Sequence, residues 1–184
     1  MNDCKSCEFL EDPEKIVGGV LPLNDHWALN HYLGAEGWLG WMALQPVRHV
    51  DEFSDLNENE LRALGPSISC VEKMLKRYWN EKFGSDPIQR VYVVYFYESV
   101  FNYESVFNSP PSPYHLHLHL IARPASLDNL LREYPDRQTT LGSRSTINAW
   151  KAPSITQQEA FPERYRKCDE SYRALMEWWR SQTR

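Results

Sequence analysis

The chain has 184 residues, enough for one domain with a well-buried core, and its 42% hydrophobic and 24% charged residues are ordinary for a soluble globular protein. A net charge of −5 argues against a general nucleic-acid binder or a membrane-surface protein, either of which would present a basic face, but leaves room for a small phosphorylated ligand held by local donors. No apolar run approaches the roughly 18 residues of a membrane span, and the polar, acidic start does not read as a signal peptide, so the expected location is the cytoplasm.

In chain order, residues 1–14 read as irregular apart from Cys4-Lys-Ser-Cys7. In a cytoplasmic chain such a pair points to metal binding or redox chemistry more than to a disulfide; the bland alternative is a frayed end with free thiols. Ile16 to Asn30 reads as two short strands around Leu21, Pro22 and Asn24, with Trp27–Asn30 the second. Gly34 to Gly40 is a glycine-punctuated loop, and Trp41–Gln45 is a short apolar strand that leaves through Pro46-Val-Arg-His49. Asp55 or Asn57 can cap a helix with apolar positions Leu61, Leu64, Ile68, Val71, Leu75 and Tyr78, ending near Gly84. Gly65-Pro66 interrupts that pattern, which predicts either a kink or a helix starting at Pro66.

Val91–Tyr97 is β-branched and aromatic, a strand by composition. An exact tandem repeat follows, Tyr97-Glu-Ser-Val-Phe-Asn102 and Tyr103-Glu-Ser-Val-Phe-Asn108, which reads as a local duplication lengthening a loop or hairpin. Pro110, Pro111 and Pro113 then break any ladder ahead of His115-Leu-His117-Leu-His119-Leu-Ile121. In a strand the leucines of this segment face one side and the three imidazoles the other, about 6.6–6.9 Å apart. Histidine can serve as acid, base, nucleophile or ligand near neutral pH, so a row of three is read as functional. Beyond Pro124 the chain suggests a short helix at Ser126–Tyr134, a loop at 135–155 and a helix at 156–181 whose stripe of Tyr165, Cys168, Tyr172, Leu175, Met176 and Trp179 reads as packing, with a partner surface as the alternative. His26 and His31 fall in the early strand-loop region, where His31 reads as a partly exposed loop histidine that could alternatively reach the pocket, and Trp38 and Trp41 read as packing residues that could alternatively stack on a base.

The row His115-x-His117-x-His119, with Cys4-x-x-Cys7, Gly40-Trp-Met-Ala-Leu-Gln-Pro46-Val-Arg-His49 and a long helix ahead of it, resembles the histidine triad (HIT) nucleotide-binding superfamily over roughly residues 1–124. The resemblance implies an α+β fold of about five antiparallel strands with the long helix packed on them, residues 125–184 forming a helical extension. It implies that His117 attacks the α-phosphorus of a nucleotide and that water opens the resulting nucleotidyl-histidine, a substitution split into two easier steps. For this the attacking nitrogen must be unprotonated, with the other nitrogen's proton held by an acceptor such as a backbone carbonyl. His119 then stabilises phosphate charge or helps protonate the leaving group. Ser112 and Arg123 match positions that meet phosphate, and Asn30 falls near a position that meets the ribose hydroxyls. Cys4, Cys7, His49 and His115 match the ligands of a structural zinc in some relatives; two thiolates and two imidazoles suit a closed tetrahedral site. The family also implies a homodimer.

Candidate substrates are nucleoside phosphoramidates and dinucleoside polyphosphates. The chain reads Pro110-Pro111-Ser112 where family members carry Gly-Gln-Ser/Thr, which removes a glutamine and two backbone donors and motivates a second reading: a nucleotide-binding or scaffold protein with little turnover. A metal hydrolase using all three triad histidines ranks last, because alternate positions on one strand hold the imidazoles too far apart for a single zinc at about 2.0–2.1 Å.

Overall fold

The computed structural model describes residues 4–32, 39–95, 114–125 and 169–182. Five strands form one antiparallel sheet in the order β1-β2-β3-β5-β4: β1 (Leu21–Pro22), β2 (Trp27–His31), β3 (Trp41–Pro46), β4 (Ile88–Tyr95) and β5 (Leu118–Pro124). The register sets Asn30, Ala43, His119 and Val94 side by side across four strands, and it sets Leu29, Leu44, Leu118 and Tyr95 beside one another on the opposite face. Period-two alternation thus gives the sheet one leucine-rich face and one face carrying amide and imidazole groups.

The leucine-rich face is covered by α2 (Glu58–Lys82). Its buried residues, Ser67, Val71, Leu75, Tyr78 and Trp79, recur at helical spacing and form the stripe that meets the sheet. The helix starts at Asn57 with a reciprocal capping box: the Glu60 N–H donates to Asn57 Oδ1 at 3.0 Å, and the Asn57 N–H donates to Glu60 Oε2 at 2.8 Å. Of the starts expected from the sequence, Asp55, Asn57 and Pro66, the cap at Asn57 prevails, and Gly65-Pro66 lies inside the helix. Beside Pro66 one bond within the helix and one tertiary bond hold the stretch: Ser67 Oγ donates to the Ala63 carbonyl one turn back and accepts from Asn24 Nδ2, both at 2.8 Å.

Glu60 also ties the helix to the strand leaving the sheet. Its buried carboxylate accepts Arg48 Nε at 3.0 Å and Arg48 Nη2 at 2.9 Å, while Trp27 Nε1–H donates to the Glu60 carbonyl at 2.8 Å. The paired guanidinium, helped by the Asn57 N–H, holds the Glu60 carboxyl below its ordinary range against the opposing effect of burial. Because Arg48 is half exposed, Glu60→Gln is expected to cost about 2 kcal/mol at neutral pH, read by denaturant unfolding. A depressed carboxyl stabilises the fold above its ordinary value of 4.5 and loses that contribution as pH falls through the lower folded value, so the gap between the two proteins should close on acidification.

The C-terminal helix, α3 (Asp169–Gln182), lies on the same side as α2. Tyr172, Leu175, Met176 and Trp179 are fully buried and join the same hydrophobic cluster as the sheet and α2. Tyr172 stacks on His31 at a centroid distance of 3.5 Å, and Trp178 Nε1–H donates to Glu81 of α2 at 2.8 Å. His31 is therefore not a partly exposed loop residue. It is fully buried at the end of β2, its Nε2 accepting the Gly40 N–H at 3.0 Å and its Nδ1–H donating to the Tyr32 carbonyl at 3.2 Å. Gly40 has φ +84°, and a Cβ there would meet Trp79 at 2.7 Å, so both backbone shape and space require glycine.

Three further expectations are revised. The N-terminal segment is ordered as α1 (Lys5–Glu11), because the Cys4 sulfur accepts the Cys7 N–H as an N-cap and Glu8 pairs with Lys5 and Lys15. β4 begins at Ile88, three residues before the expected start. β5 begins at Leu118, so His115 and His117 precede the regular strand. The tandem hexapeptide, Ser112, Trp38, the expected helix at 126–134, Cys168 and residues 156–168 of the expected C-terminal helix lie outside the described residues. No helix among the described residues is long and apolar enough to cross a membrane.

Candidate active site and metal centre

Strand β3 ends at Pro46, and residues 47–50 run on beside 114–117, where the Leu116 N–H donates to the Val50 carbonyl at 2.7 Å. This brings His49 next to His115, their rings edge to face at 5.1 Å. Helix α1 delivers Cys4 and Cys7, three residues apart and hence on one side of the helix. The four donor atoms lie within 4.8 Å of one another.

Each imidazole is held in the tautomer a metal requires. His115 Nε2–H donates to the Pro46 carbonyl at 3.0 Å, which leaves the Nδ1 lone pair facing Cys4 Sγ at 3.6 Å and Cys7 Sγ at 3.5 Å. His49 Nε2 meets the Asp51 carboxylate at 3.0 Å, and its Nδ1 faces Cys7 Sγ at 3.2 Å. A tetrahedral zinc with bonds of about 2.3 Å to sulfur and 2.0–2.1 Å to nitrogen separates S from N by roughly 3.6 Å. The three observed S···N distances fit that edge length, and the carbonyl and carboxylate behind the imidazoles are the outer partners that metal-bound histidines use. Burial pulls His115 down to about 4, so its ring is neutral at pH 7. Burial, reinforced by the Cys4 sulfur beside it, pushes the Cys7 thiol up to about 12. A divalent cation would reverse that preference and take both sulfurs as thiolates. The residues present fit zinc, which would brace the N-terminal helix against the 46–50 and 114–117 segments.

His115 has a second connection. Its backbone carbonyl accepts the Nδ1–H of His117 at 2.8 Å. A carbonyl can only accept, so the proton of neutral His117 sits on Nδ1 and the lone pair on Nε2. The histidines therefore do not act as one undivided row: His115 turns to the cysteines, while His117 and His119 stand together, with ring centroids 4.8 Å apart. His117 is half-buried and His119 is 3% exposed.

Trp41 Nε1–H donates to His119 Nδ1 at 2.9 Å. From the sequence Trp41 reads as packing or base stacking; in the sheet it pairs with Ile121 and so stands diagonal to His119 on one face. Tyr32 adds an edge-on contact to His119 at 4.6 Å and a stacked one to Trp41 at 5.5 Å, while Tyr114 lies 5.7 Å from His117. Two imidazoles thus stand in an aromatic wall.

Asn30 faces the same side as His119, two strands away and hence about 9–10 Å between backbones, with Ala43 paired between them. Its Nδ2–H donates to the His31 carbonyl at 3.0 Å, and its buried Oδ1 has no partner among the described residues. Arg123 is not brought to this group. It lies four residues beyond His119, about 13 Å along β5, where it donates to the Tyr92 hydroxyl and its guanidinium packs 5.8 Å from that ring. A groove of about 440 Å³ between residues 13–19 and α3, lined by Glu14, Arg173, Glu177 and Arg180 among others, contains none of the histidines.

No protein-family model matches the chain, and no curated protein matches it. Solved structures do match. A hypothetical histidine triad nucleotide-binding protein from Sulfolobus tokodaii superposes with a TM-score of 0.50 at 16% identity, covering 97% of this chain and 90% of that one. A zinc-bound histidine triad family protein from Mycobacterium smegmatis gives 0.48 at 11% identity, covering 97% and 96%, and a HIT family protein from Bacillus anthracis gives 0.46 at 14%, covering 66% and 74%. The five-stranded antiparallel sheet carrying a long helix, and the superposition on the Sulfolobus protein, show that this chain has the histidine triad fold.

Proposed function

We propose that the protein is a nucleotide-binding hydrolase or transferase that acts at the α-phosphate of a nucleoside phosphoramidate or dinucleoside polyphosphate through His117. The observation that carries this reading is the hydrogen bond from His117 Nδ1 to the His115 carbonyl, which leaves the lone pair on Nε2 of a half-buried ring. In the first step Nε2 forms a bond to the α-phosphorus and the leaving group departs with the electron pair, giving a phosphorylated imidazolium whose Nδ1–H remains on the carbonyl. In the second step water attacks the phosphorus, the P–N pair returns to Nε2, and the proton of the water passes to solvent.

His119, 4.8 Å from His117 between ring centres, supplies an N–H to the phosphoryl oxygens or to the leaving group. Asn30 Oδ1, buried and facing the same side, suits a ribose hydroxyl donor. The metal cluster stays out of the chemistry and holds the His115 segment from which the nucleophile hangs.

The test pairs turnover with binding. Incubation with adenosine 5′-phosphoramidate or diadenosine triphosphate should release AMP, and calorimetry should report AMP binding at the same site. AMP binding without any release of AMP from either substrate would instead favour the scaffold reading.

A further inference from the structure

We infer that Trp41 is a positioning residue that locks His119 as a neutral imidazole with its proton on Nε2, so that His119 acts as a hydrogen-bond donor to phosphate oxygen and not as the acid that protonates the leaving group. The catalytic half of this inference rests on the nucleotidyl-transfer reading; the tautomer does not.

The argument begins with the indole. Its N–H has no lone pair to offer, so at 2.9 Å from His119 Nδ1 it can only donate, and Nδ1 must be the acceptor. Neutral His119 therefore carries its proton on Nε2. A second proton would have to go on Nδ1, where two N–H groups would face each other in a site with little access to water. That arrangement loses a buried hydrogen bond and strands both donors.

Trp41 cannot easily turn aside to relieve this. It is fully buried within β3, paired with Ile121, and its ring lies against Tyr32. His119 is closed in by Trp41 and Tyr32, both edge to face with it.

A neutral imidazole N–H is a good hydrogen-bond donor but a very weak acid, because losing the proton would leave an imidazolate. His119 can thus meet the negative charge that builds on the α-phosphoryl oxygens, yet it has no proton to give an amine or alkoxide leaving group. This narrows the substrate class. A phosphoanhydride expels a phosphate anion that needs no proton from the enzyme, whereas a phosphoramidate with an alkylamine leaving group does need one. The site is accordingly suited to dinucleoside polyphosphates over alkyl phosphoramidates.

Three measurements test this. Long-range proton–nitrogen NMR, with the His119 signals assigned from their loss in His119→Gln, should show an unprotonated Nδ1 and a protonated Nε2 at neutral pH. In turnover of diadenosine triphosphate, His119→Gln keeps both an acceptor for Trp41 and an N–H donor, and should lose no more than about tenfold in kcat, while His119→Ala should lose about 10²–10³-fold. Trp41→Phe should lower kcat about tenfold with little change in KM, and should cost nothing further in the His119→Ala background, since coupled residues are not additive.

A proton found on Nδ1 in an active enzyme overturns the inference alone. So does a His119→Gln variant as damaged as His119→Ala, or a Trp41→Phe loss equal in both backgrounds, which would mark Trp41 as merely structural. The stated tautomer in a wild-type protein that turns over neither substrate overturns the nucleotidyl-transfer reading, and the catalytic role of His119 with it.

Discussion

His117→Ala is expected to abolish release of nucleoside monophosphate, by about 10⁴-fold or more, while nucleotide affinity changes by only a few-fold. A loss of this size follows when the covalent nucleophile is removed, because the remaining groups can orient water but cannot offer the two-step path. Binding should largely survive because Asn30, the group suited to the ribose, hangs from β2, while the Tyr32 ring beside His117 loses only one stacked neighbour at 6.5 Å. The fold should survive too: His117 is half-buried and stands outside the core cluster of Leu29, Leu44, Leu118 and Leu120. Steady-state kinetics and calorimetry on the same preparation separate the two effects. Equal, negligible turnover in wild type and variant, with binding intact in both, is the outcome that assigns the protein to the scaffold reading.

The second large effect concerns the metal. Cys4→Ala should lower bound zinc from one ion per chain toward none and destabilise the protein by about 4 kcal/mol or more, the scale on which a structural metal is lost. Two consequences are combined in that figure. The sulfur is a donor of the four-residue cluster and also the N-cap of α1, so its removal would release a bound cation and leave the helix that carries Cys7 without its cap. The effect on chemistry should be much smaller. The segment carrying His115 is also held by the Leu116 N–H on the Val50 carbonyl, and the His115 carbonyl can still accept the His117 proton, so activity per folded molecule should fall by less than about tenfold at low temperature. Elemental analysis and thermal unfolding on both proteins check this. Wild-type protein that carries no zinc when purified in its presence, together with unchanged unfolding of Cys4→Ala, would contradict the assignment.

The sequence made the sheet legible where one force dominates. Alternating leucines and histidines point to a strand whose regular ladder begins at Leu118, a β-branched run at Val91 lies within β4, and a 3.6-residue stripe through Val71, Leu75 and Tyr78 lies on α2. It was less legible where tertiary contacts override local preference. Pro66 reads as a kink or a boundary, yet the capping box at Asn57 and the Ser67 bonds to Ala63 and Asn24 carry the helix through it. His31 reads as a loop residue because nothing local announces that Tyr172, far along the chain, will stack on it.

The site divides in the same way. The cluster Cys4, Cys7, His49 and His115 comes together in space as the resemblance implied it would, and the tautomers that suit it are settled by a carbonyl and a carboxylate that spacing alone does not reveal. The partnership of Trp41 with His119 depends on the register between β3 and β5, which one chain read by itself does not contain. Arg123, four residues past His119, shows the opposite case: a residue close in sequence that the strand carries away along its axis.

The central claim is that the Nε2 of His117 forms a bond to phosphorus. Acid-quenching the wild-type protein during turnover of diadenosine triphosphate, followed by intact-mass and peptide mass spectrometry, tests it most directly. The account predicts a mass increase of one adenylyl group on the peptide containing His117, present within one turnover and missing from His117→Ala. Active turnover with no adenylylated protein at any quench time, or an adenylyl group on a different residue, would contradict it.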